Sequence, residues 1–342
     1  MRRFALANCV LGLLIFSPAM RGLAAGIVPQ RPVLPQCRVL EGLVGTWDTQ
    51  VSGGSYELFG KPKSVGRIAR QWVADHHFVH ERGNEHEAFM TFDPRQNMYH
   101  AWYFHSNGHV WEMTGQWTGN MNTLSLSTEV DQNQSLQRHF QVLDDKNHEC
   151  TVAWTDEDGR TGIYGMFNFT RCDPASATTN SGKKLGTAIL PKSLPPAEMK
   201  IFADEIGKWS LEGRASNGDK TTKINGSSVV QWLLGGQFVQ TQITLQGREG
   251  EGINISGFDA AAKTYRCWFF PTDGTVSAPA VGAWDEKERT MTWKDQLTGD
   301  LVMVSKKEWI NRDVAKIHTV FSRQNGDVET TQDATITRQK EK

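Results

Sequence analysis

The sequence predicts an all-β protein: two tandem up-and-down antiparallel β-barrels, each preceded by a short helix. Three observations carry that expectation. One stretch occurs twice: residues 92–110 read FDPRQNMYHAWYFHSNGHV and residues 258–276 read FDAAAKTYRCWFFPTDGTV, with seven of nineteen positions identical and no gap. Repetition on this scale marks a duplicated structural unit. Short runs rich in aromatic and β-branched residues, punctuated by Gly, Asn and Asp, then follow one another closely, as in all-β barrels. Finally, residues 173–194 are rich in Ser, Thr, Ala, Gly, Pro and Lys without periodicity, and read as a linker between the copies.

Taken in order, the chain opens on Met1-Arg2-Arg3, an apolar run from Phe4 to Phe16, and small residues around Gly22-Leu23-Ala24. That pattern predicts a signal peptide over 1–25 and hence a periplasmic or secreted product. No later stretch is long and apolar enough to cross a bilayer as a helix. Arg38 to Val44 predicts a short helix, followed by Gly45-Thr46-Trp47 opening the first strand. Strands are expected near 47–53, 65–73, 77–82, 87–93, 98–105, 109–117, 122–129, 137–143, 149–155 and 161–171, which places the first barrel at 38–172. Copy two repeats the plan over 195–340. Pro195-Pro196 starts a helix-like Ala197–Phe202, and Gly207-Lys208-Trp209 opens the sheet. Gln71-Trp72 aligns with Gln231-Trp232, Phe78-Val79 with Phe238-Val239, Trp117 with Trp284, and Phe169-Thr170-Arg171 with Ile336-Thr337-Arg338.

Ser106-Asn107-Gly108-His109 and Thr272-Asp273-Gly274-Thr275 occupy one aligned position and predict two-residue type I′ hairpins. Such a turn would set Phe104 opposite Trp111 and Trp102 opposite Met113. His100, Trp102, Phe104, Trp111 and Met113 would then share one face, read as the interior because it is the more apolar, with Tyr99, Ala101, Tyr103, His105 and Glu112 outside.

The pairing of Gly-x-Trp on a first strand with Arg on the last resembles the calycin superfamily of lipocalin-like barrels. The resemblance implies that Trp47 and Trp209 each close one barrel end with Arg171 and Arg338 across their rings, a cation–π contact. Each copy also resembles the bacterial family called domain of unknown function 1579, through Gly207-Lys208-Trp209, Gly235-Gly236-Gln237-Phe238 and Phe258-Asp259 … Tyr265 … Trp268 … Gly274-Thr275. Copy one keeps Gly45-Thr46-Trp47, Phe92-Asp93, Tyr99, Trp102 and Gly108, but has Asp75-His76 for the double Gly and His109 for the Thr. Both copies carry Phe104 and Phe270 where many members carry an acidic residue. The resemblance implies a fold and no activity.

Composition narrows the chemistry. A formal charge of −1 with no basic stripe excludes nucleic acid as an expected partner. No nucleophile elbow, zinc-protease helix, P-loop or dinucleotide fingerprint occurs, so no catalytic residue is assigned and an enzyme is the weaker expectation. Asp93 and Asp259 precede turns and read as Asx-turn acceptors. Nine of the ten histidines lie in copy one: His76, His77, His80, His86, His100, His105, His109, His139 and His148. Imidazole is a common metal ligand, which keeps open a haem- or metal-binding first barrel, with His80, His100 and His109 as the set that would converge. A structural or interaction protein with no pocket also stays open. The leading expectation is a barrel that binds a small, largely apolar molecule and needs no cofactor, through His80, His100, Trp102, Phe104, His109 and Trp111 in copy one and Arg266 and Trp268 in copy two.

Export permits disulfides, and Cys37 and Cys172 flank barrel one where first and last strands meet, so a Cys37–Cys172 bridge is expected. Cys150 and Cys267 lie inside strand patterns and read as small buried hydrophobes. The linker is open to test: limited proteolysis of the whole chain should cut within 173–194 and release two folded fragments of similar size. A segment that resists cleavage would place the boundary elsewhere.

Overall fold

The computed structural model describes residues 34–53, 65–131, 134–172, 194–246, 251–297 and 299–340. The expected signal peptide lies outside them, and so does the expected linker but for Leu194. The chain divides into two compact units, one ending at Ser193 and the other resuming at Leu194.

Barrel one comprises β1 (Gly45–Gly53), β2 (Val65–Val73), β3 (Phe78–Arg82), β4 (His86–Asp93), β5 (Met98–His105), β6 (Val110–Thr118), β7 (Thr123–Asp131), β8 (Gln134–Val142), β9 (Asn147–Thr155) and β10 (Thr161–Arg171). Neighbours in sequence pair antiparallel, and β10 returns to β1 to close the sheet. Barrel two repeats this with β11 (Gly207–Asn217), β12 (Lys220–Leu233), β13 (Phe238–Leu245), β14 (Glu251–Asp259), β15 (Thr264–Phe270), β16 (Ala280–Asp285), β17 (Thr290–Gln296), β18 (Leu301–Asn311), β19 (Val314–Arg323) and β20 (Val328–Arg338), closed by β20 on β11. Closure leaves no free sheet edge in either unit.

One end of each barrel is sealed by the same parts. Trp47 and Arg171 are register partners across the β1–β10 seam, as are Trp209 and Arg338 across β11–β20. The guanidinium lies over the indole at 4.2 Å and 4.3 Å respectively. Each indole N–H donates to the carbonyl at the end of the preceding helix, Leu43 at 2.9 Å and Glu205 at 2.7 Å. Those helices are 3-10 turns, Pro35–Leu43 and Ala197–Glu205, the first beginning three residues before the expected Arg38 because Pro35 presets its first turn. A tyrosine holds each from within: Tyr99 donates to the Gln36 carbonyl at 2.9 Å and Tyr265 to that of Glu198 at 3.1 Å. Asp93 accepts from the Arg95 N–H at 2.9 Å and Asp259 from that of Ala261 at 3.1 Å, the Asx turns read from sequence.

The hairpin register differs from expectation, and the difference inverts the interior. The β5–β6 connection is a three-residue loop, closed by Gly108 N–H to the His105 carbonyl and His105 N–H to the His109 carbonyl, both 2.9 Å, with only Gly108 left-handed (φ 88°). Tyr103 therefore faces Trp111, and Ala101 faces Met113. A slip of one residue moves every side chain to the other face. Tyr99, Ala101, Tyr103 and Met113 join Trp47, Val79, Met90, Leu126 and Phe140 in the interior core, while His100, Trp102 and Phe104 lie on the opposite face. That face is apolar and buried too, so hydrophobicity alone could not distinguish them. In copy two the aligned turn is no tight hairpin. Strand pairing stops at Cys267–Ala280, and the chain between passes through Pro271 and Pro279, neither of which can donate to a ladder.

The expected Cys37–Cys172 bridge is absent, and both thiols are free. Cys37 is buried in the sealed end, with its thiol toward Thr91 and Phe92, whereas the Cys172 thiol lies beside Asp48. The 3-10 helix turns the first cysteine into the barrel while the second stays outside the seam.

Gly45 has φ 137°, and a Cβ there would meet the Arg171 guanidinium. Gly159, at φ 78°, has open space around it. Gly159→Ala should thus cost only the left-handed backbone, about 1 kcal/mol, and Gly45→Ala about 2–4 kcal/mol by also displacing the arginine. Urea unfolding of barrel one measures both, and equal losses would deny the seal this weight.

Candidate functional site

The end of barrel one opposite the seal, its mouth, carries the β3–β4 and β5–β6 turns. The interior of this barrel is unusually polar. Arg70 and Glu81 are register partners on β2 and β3, and their side chains form a buried ion pair. Arg70 also donates to His148 Nε2 at 2.7 Å, and its guanidinium lies 5.0 Å from the Phe169 ring. An arginine has only donors, so His148 Nε2 accepts and the proton sits on Nδ1. His148 stacks on Phe169 at 4.3 Å and meets Trp47 edge-on at 4.2 Å, which ties the network to the seal. The second Glu81 oxygen bonds to His86 Nε2, and His86 is the register partner of His105 at the mouth.

Above this cluster Arg138 projects from β8. Its guanidinium lies 3.9 Å from the Tyr103 ring and 5.7 Å from that of Trp111. The Trp111 ring is also 4.2 Å from His105. Trp111, Arg138 and His86 are half-buried, whereas Glu81, Tyr103 and His105 are buried. Exposure among these described residues therefore rises away from the seal. The buried Nε of Arg138 has no hydrogen-bond partner, and no carboxylate among the described residues forms an ion pair with it.

Electrostatics follow from these placements. Burial alone would raise the Glu81 carboxyl, but the Arg70 charge and the His86 and Arg70 hydrogen bonds outweigh it and hold the group well below the carboxylate range. Burial, reinforced by neighbouring His86 and Arg138, pushes His105 down to about 2. Burial and Arg70 do the same to His148, also to about 2. Burial pushes the Cys150 thiol up to about 12, so it is no nucleophile.

Copy two replaces this network at matching register. Arg70–Glu81 becomes Val230–Thr241, Arg138–Val152 becomes Ser305–Thr319, and His148–Phe169 becomes Ala315–Ile336. Ser305 and Thr319 hydrogen-bond each other at 2.8 Å. Barrel two instead buries a Lys307–Glu205 pair at 2.9 Å, and Asp295, whose Oδ2 is unpartnered and whose carboxyl burial raises to about 7.

The residues expected from sequence are scattered. His80 lies on the outer face, bonded to Glu87 at 2.5 Å and stacked on Phe89. His100 stacks on Trp102 at 5.8 Å on that face, Phe104 accompanies them, and His109 is exposed at the turn. Among the described residues no three His, Cys, Asp or Glu side chains gather closely enough to hold a metal ion, so His80, His100 and His109 do not converge. Arg266 pairs with Asp259 at 2.9 Å, and Trp268 is buried on the outer side of β15. Of the expected set only Trp111 lines the interior. The missed residues carry a signal nonetheless. Ile68-x-Arg70-x-Trp72, Val79-x-Glu81 and Leu136-x-Arg138-x-Phe140 each place a charge in phase with apolar residues, which is an inward position on a strand.

With this geometry in place, the chain can be set beside known proteins. Residues 194–332 match the family model "Protein of unknown function (DUF1579)". That match bears out the resemblance read from the second copy's motifs. No curated protein matches the chain. Among solved structures, the S-type phycobiliprotein lyase CPES of Guillardia theta is similar at a TM-score of 0.34 and 10% identity, over 43% of this chain and 95% of that one. A protein of unknown function from the DUF3598 family, from Nostoc punctiforme, gives a TM-score of 0.29 and 10% identity over 90% and 100%.

The interiors predict opposite pH responses. His105 and His148 stay neutral when folded but bind protons below about pH 6.5 when unfolded. The stability they carry is present above that pH and is lost as pH falls toward 2. Asp295 has the opposite sign: its folded pKa is raised, so its contribution is full below about pH 4 and lost as pH rises through 7. Between pH 7 and 5 barrel one should weaken and barrel two strengthen. In thermal unfolding, His105→Leu should flatten the first trend by about 1.4 kcal/mol per pH unit below pH 6, and Asp295→Asn the second. Parallel trends in the two barrels would refute the assignment.

Proposed function

We propose that barrel one binds a small, largely apolar molecule at its mouth and that the protein acts as an exported ligand-binding protein. The observation that carries this reading is the cluster of half-buried Trp111, Arg138 and His86 at the end opposite the seal, where the indole lies beside two polar groups. An apolar wall with a few convergent polar groups is the usual composition of a small-molecule site. The charged network is replaced residue by residue in barrel two, which has the same strand topology. Closing a barrel therefore does not require it, and buried charge is costly to keep for stability alone. Haem or metal binding has less support, because His148 Nε2 is occupied by Arg70 and His86 Nε2 by Glu81.

The neutral fluorophore N-phenyl-1-naphthylamine tests the reading. The full chain should bind it saturably, and Trp111→Ala should weaken that binding by about tenfold, the loss of one well-packed aromatic contact. Trp268→Ala, on the outer side of the other barrel, should leave it within about twofold. Absent or non-saturable binding, or equal effects of the two substitutions, would overturn the proposal.

A further inference from the structure

Barrel one holds two arginines and one carboxylate in its interior network. Glu81 has both oxygens engaged, one by Arg70 and one by His86, so it has nothing left for Arg138. His148 and His105 are held neutral by burial. Tyr103 and the more distant Glu81 carboxylate stabilise the Arg138 charge, but among the described residues no carboxylate forms an ion pair with it, and its buried Nε finds no acceptor. Its flat faces are taken by Tyr103 and Trp111, which leaves the guanidinium edge, where the donors lie, as the part still able to bind.

We infer that barrel one selects organic acids: ligands with an apolar body and one anionic group, a carboxylate or sulfonate, received by the edge of Arg138. This rests on the ligand-binding reading and adds the charge of the ligand to it. Two oxygens of a carboxylate or of a sulfonate can pair with adjacent donors of the guanidinium fork. The apolar body then lies against Trp111 toward the mouth. Barrel two supplies an internal contrast. Ser305 stands at the position of Arg138 and is satisfied by Thr319, and the interior there has two carboxylates, Glu205 and Asp295, against one lysine. The one interior lysine named in barrel two is paired with a carboxylate, whereas Arg138 is not, so selectivity for an anion belongs to barrel one.

Two fluorophores of nearly one shape separate the ideas, using the full chain: 1-anilinonaphthalene-8-sulfonate, which is anionic, and neutral N-phenyl-1-naphthylamine. Wild type should prefer the sulfonate by about tenfold or more, the worth of a charge-assisted hydrogen-bonded pair. Arg138→Met should abolish that preference and leave the neutral probe within about twofold, and Arg138→Lys should keep part of it. A second measurement needs no variant: 1-naphthoate should displace the bound neutral probe at about tenfold lower concentration than 1-naphthamide. Equal displacement by acid and amide, or a sulfonate preference that survives in a folded Arg138→Met protein, overturns the inference while ligand binding stands. Failure of the neutral probe to bind overturns both.

Discussion

Each barrel depends on an arginine laid across a tryptophan at the seam where the last strand meets the first. Closing an up-and-down sheet requires its two terminal strands to find each other, and these are the pairs of greatest sequence separation in each copy. Trp47–Arg171 and Trp209–Arg338 fix the register of that closure. They also bind in the preceding helix, because Arg171 donates to the Val44 carbonyl at 2.9 Å and Arg338 to that of Ile206 at 2.7 Å. The approach is so close that the first residue of the strand must be glycine: Gly45 and Gly207 adopt φ 137° and 136°, and a side chain at either would strike the guanidinium. One interaction therefore sets the closure and the floor.

Against that shared frame the interiors are free to differ. The duplicated parts include those that seal: Gly-x-Trp, the terminal Arg, the tyrosine that pins the helix, and the Phe92–Tyr99 and Phe258–Tyr265 pairs, each 5.1 Å apart at 62°. Mid-barrel residues differ almost throughout. Positions held by Arg70, Glu81, Arg138 and His148 carry Val230, Thr241, Ser305 and Ala315 in the second copy. Such a pattern follows if the seal answers to folding, which both copies share, and the mid-barrel to whatever each copy holds.

Much of this was legible in the chain itself. Strand positions and the Asx turns at Asp93 and Asp259 followed from local periodicity and from the duplication, and the tryptophan–arginine pairs from the resemblance to calycin barrels. The interior did not, because both faces of β5 are apolar and a three-residue loop in place of a two-residue one exchanges them. Loop length at Gly108 decides which nitrogen closes the turn, and Asn-Gly dipeptides serve both forms. The histidine excess of copy one marked the barrel with the charged interior, but through residues that mostly lie outside it. His80 and His100 face away, while His86, His105 and His148 line the interior. Charged residues on strands are ordinarily read outward, which hid Arg70, Glu81 and Arg138 although their phase matched that of Ile68, Val79 and Leu136.

The order of these groups along barrel one is itself physically informative. Nearest the floor His148 is neutral and enclosed by Trp47 and Phe169, where a charge would be least tolerable. At mid-depth Arg70 and Glu81 are ionised, but each is satisfied by the other and by an imidazole. Unpartnered buried nitrogens remain at both ends of this series: Nδ1 of His148 at the floor, and Nε2 of His105 and Nε of Arg138 toward the other end. Pairing explains why Arg70 and Glu81 are tolerated at mid-depth, since an unpaired charge there would be costly. It does not explain Arg138, whose place is taken in barrel two by a serine that Thr319 satisfies. Arg138 is half-buried while His105 and His148 are buried, which makes it the member of the three nearest to solvent.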